Sequence, residues 1–253
     1  MKILSYFFLV AVIVSIAVLS IFIKKNNKSE INYIELKGNY YLSQNEYLKY
    51  AHLENKDDYR ELSPNIIKDR LEKHPYIKNV DIVSSDNSIT IEIFEKNFEA
   101  LLMSNSKEYL ISDENIVIPR LPNSEKIDFP IINDPYTKSE IVEFSEAQKN
   151  NDVKIGLKII TAIKIINPKL YESLSEVNLR AGKDIILQFS TLDIPVVLGR
   201  NNEIEKIILF EKLLQKLDYS QIENTLSYID LRYSQYLYVG KSIDSNTEQE
   251  SNS

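Results

Sequence analysis

The hydrophobic pattern of the chain changes character near residue 24. Residues 3–23, ILSYFFLVAVIVSIAVLSIFI, contain no Asp, Glu, Lys, Arg, Asn, Gln, Gly or Pro. The serines in this run can return their hydroxyls to helix carbonyls. At about 1.5 Å per residue such a helix spans about 30 Å, the thickness of a bilayer's hydrocarbon core. The run is longer than a signal-peptide apolar region, and Ile21-Phe22-Ile23-Lys24-Lys25 offers no small-residue cleavage site. The pattern predicts one retained transmembrane helix over 3–23, after a short N-terminus of residues 1–2 and before a polar linker at 24–30.

Beyond residue 30 the pattern is that of chain folded in water. Residues 31–37 alternate as a strand and stop at Gly38-Asn39. Ser43-Gln44-Asn45-Glu46 is a capping box, which starts a helix at Gln44 with Tyr47, Leu48 and Ala51 on its apolar side. Lys56-Asp57-Asp58 reads as a polar turn. Ser63-Pro64 starts a second helix carrying Ile67 and Leu71, and His74-Pro75 ends it. A hairpin comes next. Val80 and Ile82 lie on one face of its first strand, Ser85-Asp86-Asn87 turns, and Ile89, Ile91 and Ile93 share a face of its second strand. The order over 31–96 is β-α-α-β-β, a compact domain in which two helices cover a three-stranded sheet.

Residues 97–240 read as a second, mixed α+β domain with a largely antiparallel sheet and two longer helices. Short strands are expected at 101–103, 108–112 and 116–118, after which four prolines break the chain. Residues 136–167 are helical in character, with Ile155, Ile159 and Ile163 repeating every four residues and with Asn150-Asn151-Asp152 and Gly156 as candidate breaks. Strands are expected at 175–179, 184–189 and 194–198. A last helix starts at Asn202-Glu203, with Ile204, Ile207, Ile208, Leu214 and Leu217 on its buried side. Final strands lie at 228–233 and 236–239. Residues 241–253 are a polar tail expected to be disordered.

Composition and charge narrow the functions. The formal net charge is −7, and Lys2, Lys24, Lys25 and Lys28 flank the apolar run, so the remainder is more acidic still. That excludes the basic footprint nucleic acids require. No cysteine is present, which removes disulfides, thiolate nucleophiles and Cys-ligated zinc. The two histidines, His52 and His74, sit at helix ends without motif partners, where they are read as stabilising terminal carbonyls. HExxH and GxSxG are absent, and the five glycines are too scattered for a phosphate-cradling loop. Asp57-Asp58 and Asp113-Glu114 are read as solvated loops. The expectation is a non-enzyme without metal or cofactor. Near the C-terminus, alternation puts Tyr228, Asp230 and Arg232 on one strand face and Ile229, Leu231 and Tyr233 on the other, with Tyr236 and Tyr238 on the next strand. This pattern describes either an ordinary sheet with a neighbouring ion pair or an edge offering backbone groups and aromatic anchors to a partner.

Taken in order, these segments resemble the FtsQ/DivIB family of bacterial cell-division proteins. Tyr33-Ile34-Glu35-Leu36-Lys37-Gly38-Asn39-Tyr40-Tyr41-Leu42-Ser43 is similar to the opening strand and G-N-x-x-L-S turn of an FtsQ-type POTRA domain. His74-Pro75-Tyr76-Ile77-Lys78-Asn79-Val80 resembles its P-x-I-x-x-V entry, and 89–100 its exit, with Lys96 in place of Arg and Phe98 in place of Pro. Tyr109-Leu110-Ile111-Ser112-Asp113 resembles a Y-L-I-D segment, with Glu114 and Asn115 where a glycine usually stands. Phe129-Pro130-Ile131-Ile132 resembles L-P-x-I, and Ser227-Tyr228-Ile229-Asp230-Leu231-Arg232-Tyr233 is close to an IDLRY strand.

The resemblance implies a single-pass protein of the cytoplasmic membrane, with its N-terminus inside and its folded domains outside, at the division septum. Flanking lysines alone lean the other way, but large domains translocate despite a few of them. It implies a non-enzymatic divisome scaffold for septal peptidoglycan synthesis, binding the coiled-coil proteins FtsB and FtsL through its last strands. Carried onto this chain, the contact centres on Tyr228, Asp230, Arg232, Tyr233 and Tyr236. The alternative is a membrane-anchored chaperone or transport adaptor that uses POTRA to receive extended polypeptide.

Overall fold

The computed structural model describes residues 2–24, 31–85, 87–138, 140–216, 226–233 and 238–241. The N-terminal helix α1 is Lys2–Lys24, with side chains described at Tyr6 and from 8 to 19. Among the described residues no helix is long and apolar enough to cross a membrane. The α+β class stands, and the transmembrane helix expected over 3–23 is corrected on this finding. The linker at 25–30, Leu217, and the tail from 242 onward lie outside the described residues.

Two compact units divide the chain, one of Met1–Asn39 with Ser43–Phe94, the other of Tyr40–Leu42 with Glu95–Ser253. In the first, strands β1 (Tyr33–Lys37), β2 (Ile77–Ser85) and β3 (Ser88–Glu95) form a sheet in the order β1-β3-β2. β1 runs parallel to β3, with Leu36 opposite Ile91. Helix α2 (Gln44–Tyr50) begins in the anticipated capping box: Ser43 Oγ accepts the Glu46 N–H at 3.3 Å, and the Glu46 carboxylate accepts the Ser43 N–H at 3.1 Å. Lys56–Tyr59 is a short helix, α3, rather than a turn, because Asp58 caps the Asn55 N–H at 3.1 Å. Helix α4 (Pro64–Glu72) starts at Ser63 with Pro64 in its first turn. Tyr47, Ile67, Leu71, Val80, Ile89, Ile91 and Ile93 are buried together as the core.

His74 is buried rather than a surface cap. Its Nδ1 accepts the Tyr76 N–H at 3.1 Å, and its ring packs on those of Tyr47 and Tyr50, with centroids 4.6 and 4.5 Å away.

The second unit is built on a nine-stranded sheet. Its strands are β4 (Phe98–Ser104), β5 (Lys107–Ser112), β6 (Val117–Pro119), β7 (Ile131–Asn133), β8 (Leu174–Asn178), β9 (Ile186–Phe189), β10 (Leu192–Val197), β11 (Leu226–Asp230) and β12 (Tyr238–Lys241). They are ordered β12-β11-β10-β9-β8-β7-β4-β5-β6. The β4–β7, β7–β8 and β10–β11 pairs are parallel and the others antiparallel. One face of the sheet carries Leu102, Ile132, Val177, Leu187, Val196 and Ile229, all fully buried. Helices α5 (Asn151–Ile166) and α7 (Glu203–Leu214) join this core through Ile159, Ile163, Ile207 and Phe210, with α6 (Pro168–Ser173) between them in sequence.

The helix expected from residue 136 begins only at Asn151. Asn150 is its cap, and its side-chain oxygen accepts the Asp152 and Val153 N–H groups at 2.9 and 3.1 Å. Upstream, Phe144 at φ 58° breaks any helical path. The chain there runs beside β6 instead: Phe144 N–H donates to Val117 O at 2.7 Å, and Val117 N–H to Ser145 O at 2.9 Å.

Candidate docking edge

The two ends of the large sheet differ. At β6 the outer strand is covered by the 144–146 segment, and Pro119 lacks a donor. At the other end β12 is the last strand, and no described strand lies beyond it. A strand at the end of a sheet is a template for another strand.

β11 is held into the sheet from both sides. Val196 faces Ile229 and Val197 faces Asp230 on the parallel β10. On the antiparallel β12, Gly240 faces Tyr228 and Tyr238 faces Asp230. Ile229 and, just past the strand, Leu231 are buried, and the Leu231 N–H donates to Val197 O at 2.8 Å. The alternation that buries Ile229 turns Tyr228 and Asp230 to the opposite face. The Tyr228 ring lies across Gly240, where any Cβ would meet the ring itself. Tyr228, Tyr233 and Tyr238 are all exposed, and the rings of Tyr233 and Tyr238 sit edge to face at 5.1 Å.

Asp230 is only 4 % exposed. Its carboxylate accepts the Arg232 backbone N–H at 3.0 Å, Nε at 3.0 Å and Nη2 at 2.6 Å. Arg232 Nη1 reaches Asp184 at 3.0 Å. The guanidinium beside Asp230 holds its carboxyl below the usual range, over the opposing effect of burial. The two aspartates in turn push Arg232 further up.

A second polar set lies nearby. Lys206 is buried, donates to Leu198 O and Arg200 O at 3.0 and 3.2 Å, and adds its charge at Asp230. Arg200 pairs bidentately with the buried Asp152 at 2.8 and 3.1 Å, and also donates to Leu179 O at 3.0 Å. Asp152 takes the Tyr136 N–H at 2.8 Å as well. These buried charges are paired with charges and carbonyls that tie loops together. Among the described residues no group of three or more His, Asp or Glu is placed to hold a metal ion.

Of the residues singled out in the sequence, Tyr228, Asp230, Arg232 and Tyr233 come together here, while Tyr236 lies outside the described residues. Alternation put Tyr233 on the face of Leu231, but β11 ends at Asp230 and the Tyr233 ring meets Tyr238 instead. Two participants were not singled out, Asp184 and Gly240, and Tyr238 was placed on the next strand but not among the contact residues. Tyr238 had a signal, its place in an aromatic alternating segment. Asp184 had none, because it lies 48 residues from Arg232 and only the sheet order joins them.

Comparison with known families gives two matches. Residues 100–232 match the family described as "Cell division protein FtsQ/DivIB, C-terminal". Residues 29–96 match "POTRA domain, FtsQ-type". No curated protein matches the chain.

Proposed function

The chain belongs to the FtsQ/DivIB family of cell-division proteins, and we propose that it serves division by recruiting extended segments of coiled-coil partners to the β12 edge. The family is one of non-catalytic, membrane-anchored division scaffolds, so the role derives from binding rather than turnover. The partners are proteins like FtsB and FtsL, met on the extracytoplasmic side at the division septum. Domain 31–96 is the POTRA domain and 97–240 the β domain. Tyr228, Tyr233 and Tyr238 are the aromatic anchors, Asp230 and Arg232 lie behind them, and Tyr236 belongs to the same contact.

One observation carries this reading. Among the described residues β12 is the last strand of the large sheet and is flanked by three exposed tyrosines, whereas the β6 end is covered. Main-chain pairing supplies affinity in such strand addition, and side-chain anchors supply specificity. A barrel or a second POTRA domain after residue 95 would favour the transport-adaptor alternative. The second unit instead holds a sheet with helices on one face, and among the described residues the ends of that sheet do not pair.

Tyr233→Glu tests the proposal. Capture of the coiled-coil partner by the variant is expected to fall at least tenfold, with the circular dichroism spectrum and melting point unchanged. Undiminished capture by a folded variant contradicts the assigned edge.

A further inference from the structure

The last strands leave and enter the sheet at one end, and three segments distant in sequence converge there. β10 and β11 are parallel, so both finish at this end. β9 runs antiparallel to β10, so it begins there, just after Asp184. Arg232 lies just past the end of β11, Gly199 just past the end of β10, and Asp184 precedes β9.

Arg232 connects all three. Nε and Nη2 grip the buried Asp230, Nη1 grips Asp184, and the aliphatic stem passes over Gly199. A Cβ at Gly199 would lie 2.7 Å from Arg232 Cγ, and Gly199 has φ +66°. A side chain there is both strained and in the path of the arginine. The next residue after Arg232 is Tyr233, whose ring meets Tyr238 on β12.

We infer that Arg232 is a positioning residue: clamped by Asp184 and Asp230 in the cleft left by Gly199, it fixes how β12 is presented rather than contacting the partner itself. This rests on the docking-edge reading and divides its residues into two kinds. Tyr228, Tyr233 and Tyr238 face outward as anchors. Arg232 has three of its nitrogens committed to carboxylates of its own chain, so approach of a partner acid would compete with bonds already made.

The geometry gives the clamp its selectivity. A guanidinium is planar and forked, so one side chain can bridge two carboxylates in fixed directions. An ammonium is a point charge without the planar fork and cannot hold the two carboxylates in these fixed directions. Lysine at 232 keeps the charge and loses the bridge.

Hydrogen exchange on the full chain tests this, using Asp184→Asn and Arg232→Lys. Both variants leave the apolar core intact. Exchange of the β12 amides in residues 238–241 is expected to rise on the order of tenfold, while β8 and β9 keep their protection. Gly199→Ala displaces the arginine stem by a different route and is expected to do the same. The inference is overturned if β12 exchange is unchanged in Asp184→Asn and Arg232→Lys, or if protection falls equally across the whole sheet. Partner capture by Tyr238→Glu is read separately. Its persistence defeats the docking-edge reading while leaving the exchange result, and with it the clamp, intact.

Discussion

At the scale of single residues, buried charges dictate the sharpest expectations. Asp152 and Arg200 form a bidentate pair whose side chains are 8 % and 23 % exposed. Removing one member leaves the other without its partner in a poorly hydrated place. Arg200→Ala is expected to destabilise the second unit by about 3 kcal/mol, and replacing both with apolar residues by less. Urea unfolding of the two variants checks this order. Asp230 yields a pH dependence. Its folded pKa is depressed, so the stabilisation is full above the unfolded carboxylate value of about 4 and is lost as pH falls through the lower folded value. Stability of the wild-type chain between pH 7 and 5 is therefore insensitive to this group. Asp230→Asn is expected to flatten part of the fall below about pH 4, measured by thermal melts across that range. Gly240 is a third case. The Tyr228 ring occupies the space any side chain at 240 would need. Gly240→Val is expected to expel that ring, seen as increased solvent quenching of tyrosine emission.

At the scale of elements, local signals were legible where a cap or a strict period stood alone. Ser43 with Glu46, and the Ile89, Ile91, Ile93 alternation, are both borne out by the helix and strand they announce. Ser43→Ala is expected to cost about 1 kcal/mol with an unchanged denaturant m-value, since only the cap is lost. The failures have physical reasons. Residues 136–150 have helical composition, but pairing with the edge of β6 claims 144–146, and that is a long-range contact invisible to periodicity. β7 has only three residues, Ile131–Asn133, too few to show a period, yet it joins β4 to β8 at the centre of the sheet. The docking edge was half legible. The aromatic alternation pointed to 228–233, whereas the strand order assigns the outer position to β12 and brings Asp184 to Arg232.

At the scale of the whole molecule, the sequence resemblance and the matched families agree on a cell-division protein of the FtsQ/DivIB family. Membrane crossing is where pattern and structure part: the apolar run is long in sequence, but among the described residues no helix is long and apolar enough to cross. Tyr40–Leu42 groups with the second unit. There the Glu95 carboxylate accepts the Tyr40 and Tyr41 N–H groups at 3.0 and 3.2 Å, and the Tyr41 ring packs on Phe98 at 5.1 Å. Phe98 thus contributes an aromatic contact.

If partners dock on the β12 edge, division depends on that edge. The decisive readout is cell length in a strain depleted of the native chain and supplied with Tyr238→Glu. Filamentous cells with unseparated septa are expected, although the variant is folded and present at wild-type level. Cells of normal length with completed septa would refute the dependence.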